Sequence, residues 1–343
     1  MSGDGSRARV GIDAQSVDAP LSRSAVFLVV SVGAGADDLA TVRAALGGVD
    51  DLVKTVGFRD LNGHLSCVVG IGSALWDRLV PAGPRPIDLR PFSRIEGAAH
   101  AAPSTPGDVL FHIRAERTDL CFELERLLLM ALGDAVAVVD EVTGFRYFDS
   151  RDLLGFVDGT ANPTGADLPD ASFISADDDP AFAGASYVVV QKYVHDMAAW
   201  NALDTSVQEA IIGRTKVDNI EIDDAAAPRK SHKSLSTIVG PDGDELDILR
   251  DNMPFGRPGE GEFGTYFIGY SGRLWVIEQM LQRMFQGVPP GAYDRLLDVS
   301  TALTGTTFFV PTGGMLGSLG EEPAKEEEPS GRSLGIGSLR DGD

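Results

Sequence analysis

The chain has 343 residues, 43% hydrophobic and 23% charged, a globular composition long enough for two domain-sized units. Its formal net charge of −22 argues against partners that present phosphate, whether nucleic acid or an anionic membrane surface. The two cysteines, Cys67 and Cys121, sit in apolar runs without CxxC or metal spacing, so we expect buried thiols and no disulfide framework.

Residues 1–23 lack a basic start feeding an apolar run and read as a flexible arm of a cytoplasmic protein. No apolar stretch is long enough to span a bilayer. The run AVFLVVSVG (25–33) predicts a buried strand, and the periodicity from Ala36 to Gly57 predicts one amphipathic helix. HLSCVVGIG (64–72) and DVLFHIRA (108–115) read as strands, DLCFELERLLLMALG as a helix, and AVAVVDEVTGFRYF as a fourth strand. This β-α-β-β-α-β order is that of a ferredoxin-like unit.

The order then recurs. SYVVVQKYVH (186–195) reads as a strand and DMAAWNALDTSVQEAIIGR as a helix capped by Asp196. GTYFIGYSG (264–272), the helix RLWVIEQMLQRMF and TGTTFFVP (304–311) complete a second set. We therefore expect one domain over 24–150 and another over 151–316. From Gly317 the composition turns acidic and loses its apolar period, which predicts a linker over 317–332 and a short apolar peptide over 333–343.

Three clusters stand out chemically. GFVDGTANP (155–163) fixes a tight loop around one carboxylate, Asp158, which by itself could be a turn former. In ILRDNMPFG (248–256) an extended backbone puts Arg250 and Asn252 on one face and Asp251 on the other. KSHKSL (230–235) carries His232, whereas His64, His100, His112 and His195 lie where a satisfied structural imidazole is the default.

Together with IIGRTK (211–216) and LLDVSTALTGTTFFVP (296–311), these clusters resemble the dye-decolourising peroxidases, and most of all the bacterial B-type members without an export signal. The resemblance runs in order and spacing from about Ala25 to Pro311. It implies an α+β fold of two ferredoxin-like domains, of the dimeric α+β barrel type, with antiparallel sheets packed together and haem b in the C-terminal domain. His232 is then the axial ligand to haem iron, with Asp294 or Asp298 behind it. Asp158 and Arg250 are the implied peroxide-cleaving pair, Asn252 their companion and Arg214 the partner of a haem propionate. Where most members have Glu in GFxDGTxNP, this chain has Ala161. The implied reaction is reduction of hydrogen peroxide with one-electron oxidation of dyes and other small aromatic donors, in a homo-oligomer built on dimers, up to a hexamer. A haem-storing or iron-releasing protein, and the related chlorite-dismutase fold, are the competing readings.

SLGIGSLR (333–340) resembles the cargo-loading peptide of encapsulin nanocompartments. The resemblance implies an encapsulin shell as partner and as location, with Leu334, Ile336 and Leu339 filling an apolar groove.

Overall fold

The computed structural model describes residues 13–320. The terminal peptide with Leu334, Ile336 and Leu339 lies outside the described residues, as does most of the expected linker. Among the described residues no helix is long and apolar enough to cross a membrane.

Four strands build the N-terminal half: β1 (Ser24–Val32), β2 (Ser66–Ile71), β3 (Val109–Ala115) and β4 (Val136–Phe145). They pair antiparallel in the order β2-β3-β1-β4. The C-terminal half repeats this with β5 (Ser186–His195), β6 (Met253–Arg257), β7 (Glu262–Ser271) and β8 (Thr306–Val310), in the order β6-β7-β5-β8. Both orders are ferredoxin-like.

The halves meet edge to edge. A single pair, Phe309 with Ile71, joins β8 to β2, so these eight strands and the short strands Leu249–Arg250 and Ser300–Ala302 form one continuous sheet. Its far edges also come together: a Cβ added at Gly144 on β4 would lie 2.7 Å from the Met253 Cβ on β6. The sheet thus curls around an apolar interior containing Phe27, Val29, Val188, Val190, Tyr266 and Phe308. Its outer surface packs beneath helices, with Val26, Leu28, Val30, Tyr187 and Val189 in that second layer. Strands buried on both faces need continuous apolar sequence, which is why β1 and β5 show no polar alternation.

Two expected helices are each split. The helix expected from Ala36 to Gly57 is two, Ala36–Gly47 and Val49–Gly57, broken at Gly48. The helix after Asp196 is likewise Met197–Asn201 and then Thr205–Ile212; Asp196 caps the first by accepting from the Ala199 N–H. A 3.6-residue pattern survives a short break, so periodicity alone does not see either one.

The described part of the expected arm is packed, not loose. The Gln15 side chain bonds to Val69 and Pro311 across the junction of the halves, and Val17 is buried in the sheet interior. The Ser16 carbonyl accepts from buried Arg114. At the other end Gly313–Leu319 is helical with Leu316 and Leu319 buried, so the chain stays folded three residues into the expected linker.

Candidate active site

A pocket of about 1000 Å³, counting the solvent space at its mouth, lies in the C-terminal half. Its floor is the outer face of the sheet, with Tyr193, His195, Thr265 and Phe267; its wall is the helix Leu274–Gln286, through Met280, Leu281 and Met284. Loops close it, bringing Asp152, Phe156 and Asp158 from one side and His232, Arg250 and Asn252 from others.

Two histidines reach this space, and their hydrogen bonds give them different capacities. His195 spends both ring nitrogens, Nδ1 with Ser300 Oγ at 2.8 Å and Nε2 with Thr265 Oγ1 at 2.9 Å. Burial lowers its pKa to about 4, so it is a neutral structural imidazole. His232 begins a short helix, His232–Ser236, whose preceding Ser231 caps it by accepting from the Ser234 N–H. Its Nδ1 lies 2.6 Å from Asp294 Oδ2, and its other nitrogen is left for the cavity.

Asp294 is fully buried, and its second oxygen accepts the Leu296 N–H at 2.9 Å. Burial alone would lower the His232 pKa, but the Asp294 carboxylate outweighs it and the net direction is upward. Of the two aspartates left open by the sequence, it is therefore Asp294 that holds His232. Asp298 is half-exposed and engages His100 and Tyr293 instead.

Asp158, Arg250 and Asn252 form the second group. The loop around Asp158 needs its glycines, because Gly155 and Gly159 take φ of +93° and +77°. One Asp158 oxygen accepts the Gly159 N–H at 2.7 Å. Arg250 donates to Met280 Sδ at 3.5 Å. Burial pushes its guanidinium pKa down, opposed by the charges of Asp158 and Asp247. No ion pair within 4.0 Å ties Asp158 to Arg250 among the described residues, so both stay free for a small molecule between them. Asn252 accepts the Ile268 N–H at 3.1 Å, which fixes the amide and leaves its NH₂ as a donor. Asp158, Arg250 and Asn252 also line a second, smaller opening beside Arg146, Tyr147 and Arg151. The expected alternation is present: Asp251 turns away into the sheet interior, where it accepts from Arg114 at 2.9 Å.

Two residues of this site escaped sequence reasoning. Asn162, in the same GFVDGTANP loop, clamps the Arg250 backbone: it accepts the Arg250 N–H at 3.0 Å and donates to the Arg250 carbonyl at 2.7 Å. Nothing in one sequence links positions so far apart. Asp152 belongs to none of the clusters picked out in the sequence, yet it lines the cavity and its pKa is pushed up to about 7, chiefly by burial, with a smaller push from Asp158. Arg214 is the expected residue that is not among those lining the cavity. Its guanidinium donates to Asn219 at 2.7 and 2.9 Å and lies 3.5 Å from Glu221.

The cavity is mostly apolar and offers a single free imidazole nitrogen, that of His232. Among the described residues there is no group of three or more side chains able to hold a bare metal ion. One free imidazole nitrogen serves iron when a macrocycle supplies the remaining donors, as haem does.

Two family models match in succession: Dyp-type peroxidase, N-terminal, over residues 14–146, and Dyp-type peroxidase, C-terminal, over 149–315. The chain is 55% identical over 330 residues to a dye-decolorizing peroxidase of Mycobacterium tuberculosis, covering 96% of this chain and 97% of that protein. It superimposes on DyPB from Rhodococcus jostii RHA1 with a TM-score of 0.87 at 58% identity, over 92% of this chain and all of that one. Haem complexes of the same Rhodococcus enzyme have been solved with single substitutions of an arginine, an asparagine and an aspartate. The encapsulated DyP-type peroxidase of Mycobacterium smegmatis matches with a TM-score of 0.86 at 54% identity, over 89% of this chain and 97% of that one.

Proposed function

The chain belongs to the Dyp-type peroxidase family of haem enzymes, and on that premise we propose that its cavity seats haem between His232 and the Asp158–Arg250–Asn252 group. The carrying observation is the asymmetry of His232, with Nδ1 held by buried Asp294 and the opposite nitrogen turned to the cavity. That hydrogen bond selects the tautomer with the proton on Nδ1 and makes the free nitrogen a stronger electron donor. When bound, haem supplies the two-electron chemistry with peroxide and draws electrons singly from a donor.

The residues around it move charge and protons. Asp158 takes a proton from the incoming peroxide and returns it to the departing oxygen. Arg250 stabilises the negative charge that builds as the O–O bond breaks. Asn252, fixed through the Ile268 N–H, holds peroxide or water by its NH₂. Arg214 spends Nε and one Nη2 donor on Asn219, and its remaining donors are the ones we assign to a haem propionate.

We further propose that residues 333–340 load the enzyme into an encapsulin shell, a reading supported by the encapsulated Mycobacterium smegmatis relative. Deleting the residues after Gly320 is expected to leave folding and peroxidase activity intact while ending co-purification with a co-expressed shell protein. Continued loading of the truncated enzyme would remove this part of the proposal.

The axial role is tested by haem content. His232→Ala is expected to lose the Soret band, whereas His195→Ala is expected to keep it. The reverse result would reassign the ligand. Stopped-flow mixing with peroxide separates a peroxidase, which reacts rapidly, from a haem carrier, which only bleaches slowly.

A further inference from the structure

A donor larger than the cavity must give up its electron at the protein surface. Of the six tyrosines, Tyr187, Tyr193, Tyr266 and Tyr270 are buried; of the three tryptophans, so are Trp76 and Trp200. Tyr147, Tyr293 and Trp275 reach the surface.

Tyr293 differs from the other two in having a proton acceptor and a bonded route inward. Its hydroxyl donates to Asp298 Oδ1 at 3.0 Å, and the same oxygen lies 3.0 Å from His100 Nε2. Tyr147 and Trp275 have no side-chain hydrogen-bond acceptor among the described residues. The Arg229 guanidinium covers the Tyr293 ring face, 4.6 Å from its centre, and donates to the Tyr293 carbonyl at 2.7 Å. The next residue is Asp294, which carries the hydrogen bond to His232. One peptide bond, one short side chain and one 2.6 Å hydrogen bond therefore connect the surface ring to the proposed axial ligand. Electrons tunnel far better along such a bonded path than across a van der Waals gap of similar length.

We propose that Tyr293 is the surface site at which bulky aromatic donors are oxidised, an inference that rests on His232 being the axial ligand. The Tyr293 O–H bond breaks, its proton moves to Asp298, and one electron passes through Asp294 and His232 to the haem oxidised by peroxide. A neutral phenoxyl radical remains on Tyr293. The Arg229 cation over the ring disfavours a charged ring, so the electron leaves only with the proton. A phenol or aromatic amine touching the part of the ring that Arg229 and His100 leave uncovered then gives back one electron. Asp298 returns its proton to Tyr293, and the oxidised donor sheds its own proton to water. Two such turns consume the two oxidising equivalents of one peroxide.

The test compares wild-type holoenzyme with Tyr293→Phe, which keeps the ring and its packing but removes the proton. After mixing with peroxide and a nitroso spin trap, wild type is expected to carry the adduct on the peptide containing Tyr293, and the variant to lack it. Oxidation of a sulfonated anthraquinone dye is expected to fall about tenfold, while oxidation of iodide, small enough to enter the cavity, stays within about twofold. Asp298→Asn, which removes the acceptor and keeps the ring, is expected to lower the tyrosyl EPR signal. Unchanged dye turnover in Tyr293→Phe, or an adduct confined to Tyr147 or Trp275, would overturn the proposal. Failure of wild type itself to oxidise iodide would sink the peroxidase reading, and this inference with it.

Discussion

The two halves of the molecule share one strand order, yet one is solid and the other hollow. In the N-terminal half the helix Thr118–Leu132 lays Leu120, Leu124, Leu128 and Leu132 directly on the sheet, against Val26, Leu28 and Phe111. In the C-terminal half the equivalent helix, Leu274–Gln286, meets the sheet only partly, and Met280, Leu281 and Met284 face the cavity. The sheet residues differ to match. From Val26 to Val32 the outer face of β1 is apolar, whereas β5 ends in Gln191, Tyr193 and His195. The longer connection, from His195 to Met253, supplies Ile212, His232, Ser236, Arg250 and Asn252 to the hollow. A repeated topology therefore fixes the frame, and one long connection plus a few polar positions on the sheet decide which copy becomes a site.

This contrast can be broken most directly by truncating equivalent side chains. Leu124→Ala is expected to cost about 2–5 kcal/mol of stability, because it empties a filled core. Met280→Ala is expected to cost clearly less, since one side of that residue already faces open volume. Denaturant unfolding of both variants checks this; equal losses would mean that the C-terminal layer is packed as tightly as the N-terminal one.

Function should show the opposite asymmetry. Arg250→Leu is expected to slow the reaction with peroxide by about 10²–10³ at unchanged haem content, the usual cost of removing one charge-stabilising donor. Asp158→Ala is expected to slow it as well. Wild-type rates in both variants would end the proposed mechanism.

Asn162→Ala should fall between structure and chemistry. It removes the two bonds to the Arg250 backbone without touching the guanidinium, so the peroxide rate is expected to drop by about tenfold. Arg250→Leu/Asn162→Ala should then be no slower than Arg250→Leu alone, which a double-mutant cycle measures. Additive losses would show that Asn162 acts elsewhere.

The smallest effect at neutral pH belongs to His195. Its folded pKa, about 4, lies below the ordinary 6.5, so between these values the unfolded chain binds a proton that the folded chain does not. Its contribution to stability is fully present above 6.5 and is lost as the pH falls toward 4. His195→Gln is expected to flatten that part of the stability profile, measured as the denaturation midpoint against pH. An unchanged slope between 6.5 and 4 would show that His195 is not held neutral.

Much of this was legible in the residues. Continuous apolar runs announced the strands, and the repeated element order announced two ferredoxin-like units. The clusters around Asp158, Arg250 and His232 could be marked because glycine-bounded loops and strand alternation constrain neighbours along the chain. Local breaks were missed at Gly48 and before Thr205, where a second short helix follows the first.

By itself, then, the sequence determined seven of the eight main strands, all but Met253–Arg257, and the α+β class of the fold, because these depend on local pattern and spacing. Only the tertiary structure decided between Asp294 and Asp298, joined Asn162 to Arg250, and folded residues 13–23 onto the body. Each of those outcomes rests on groups far apart in the chain meeting within hydrogen-bond distance. Such meetings are set by how the sheet curls and where the long connection returns, which no run of neighbouring residues encodes.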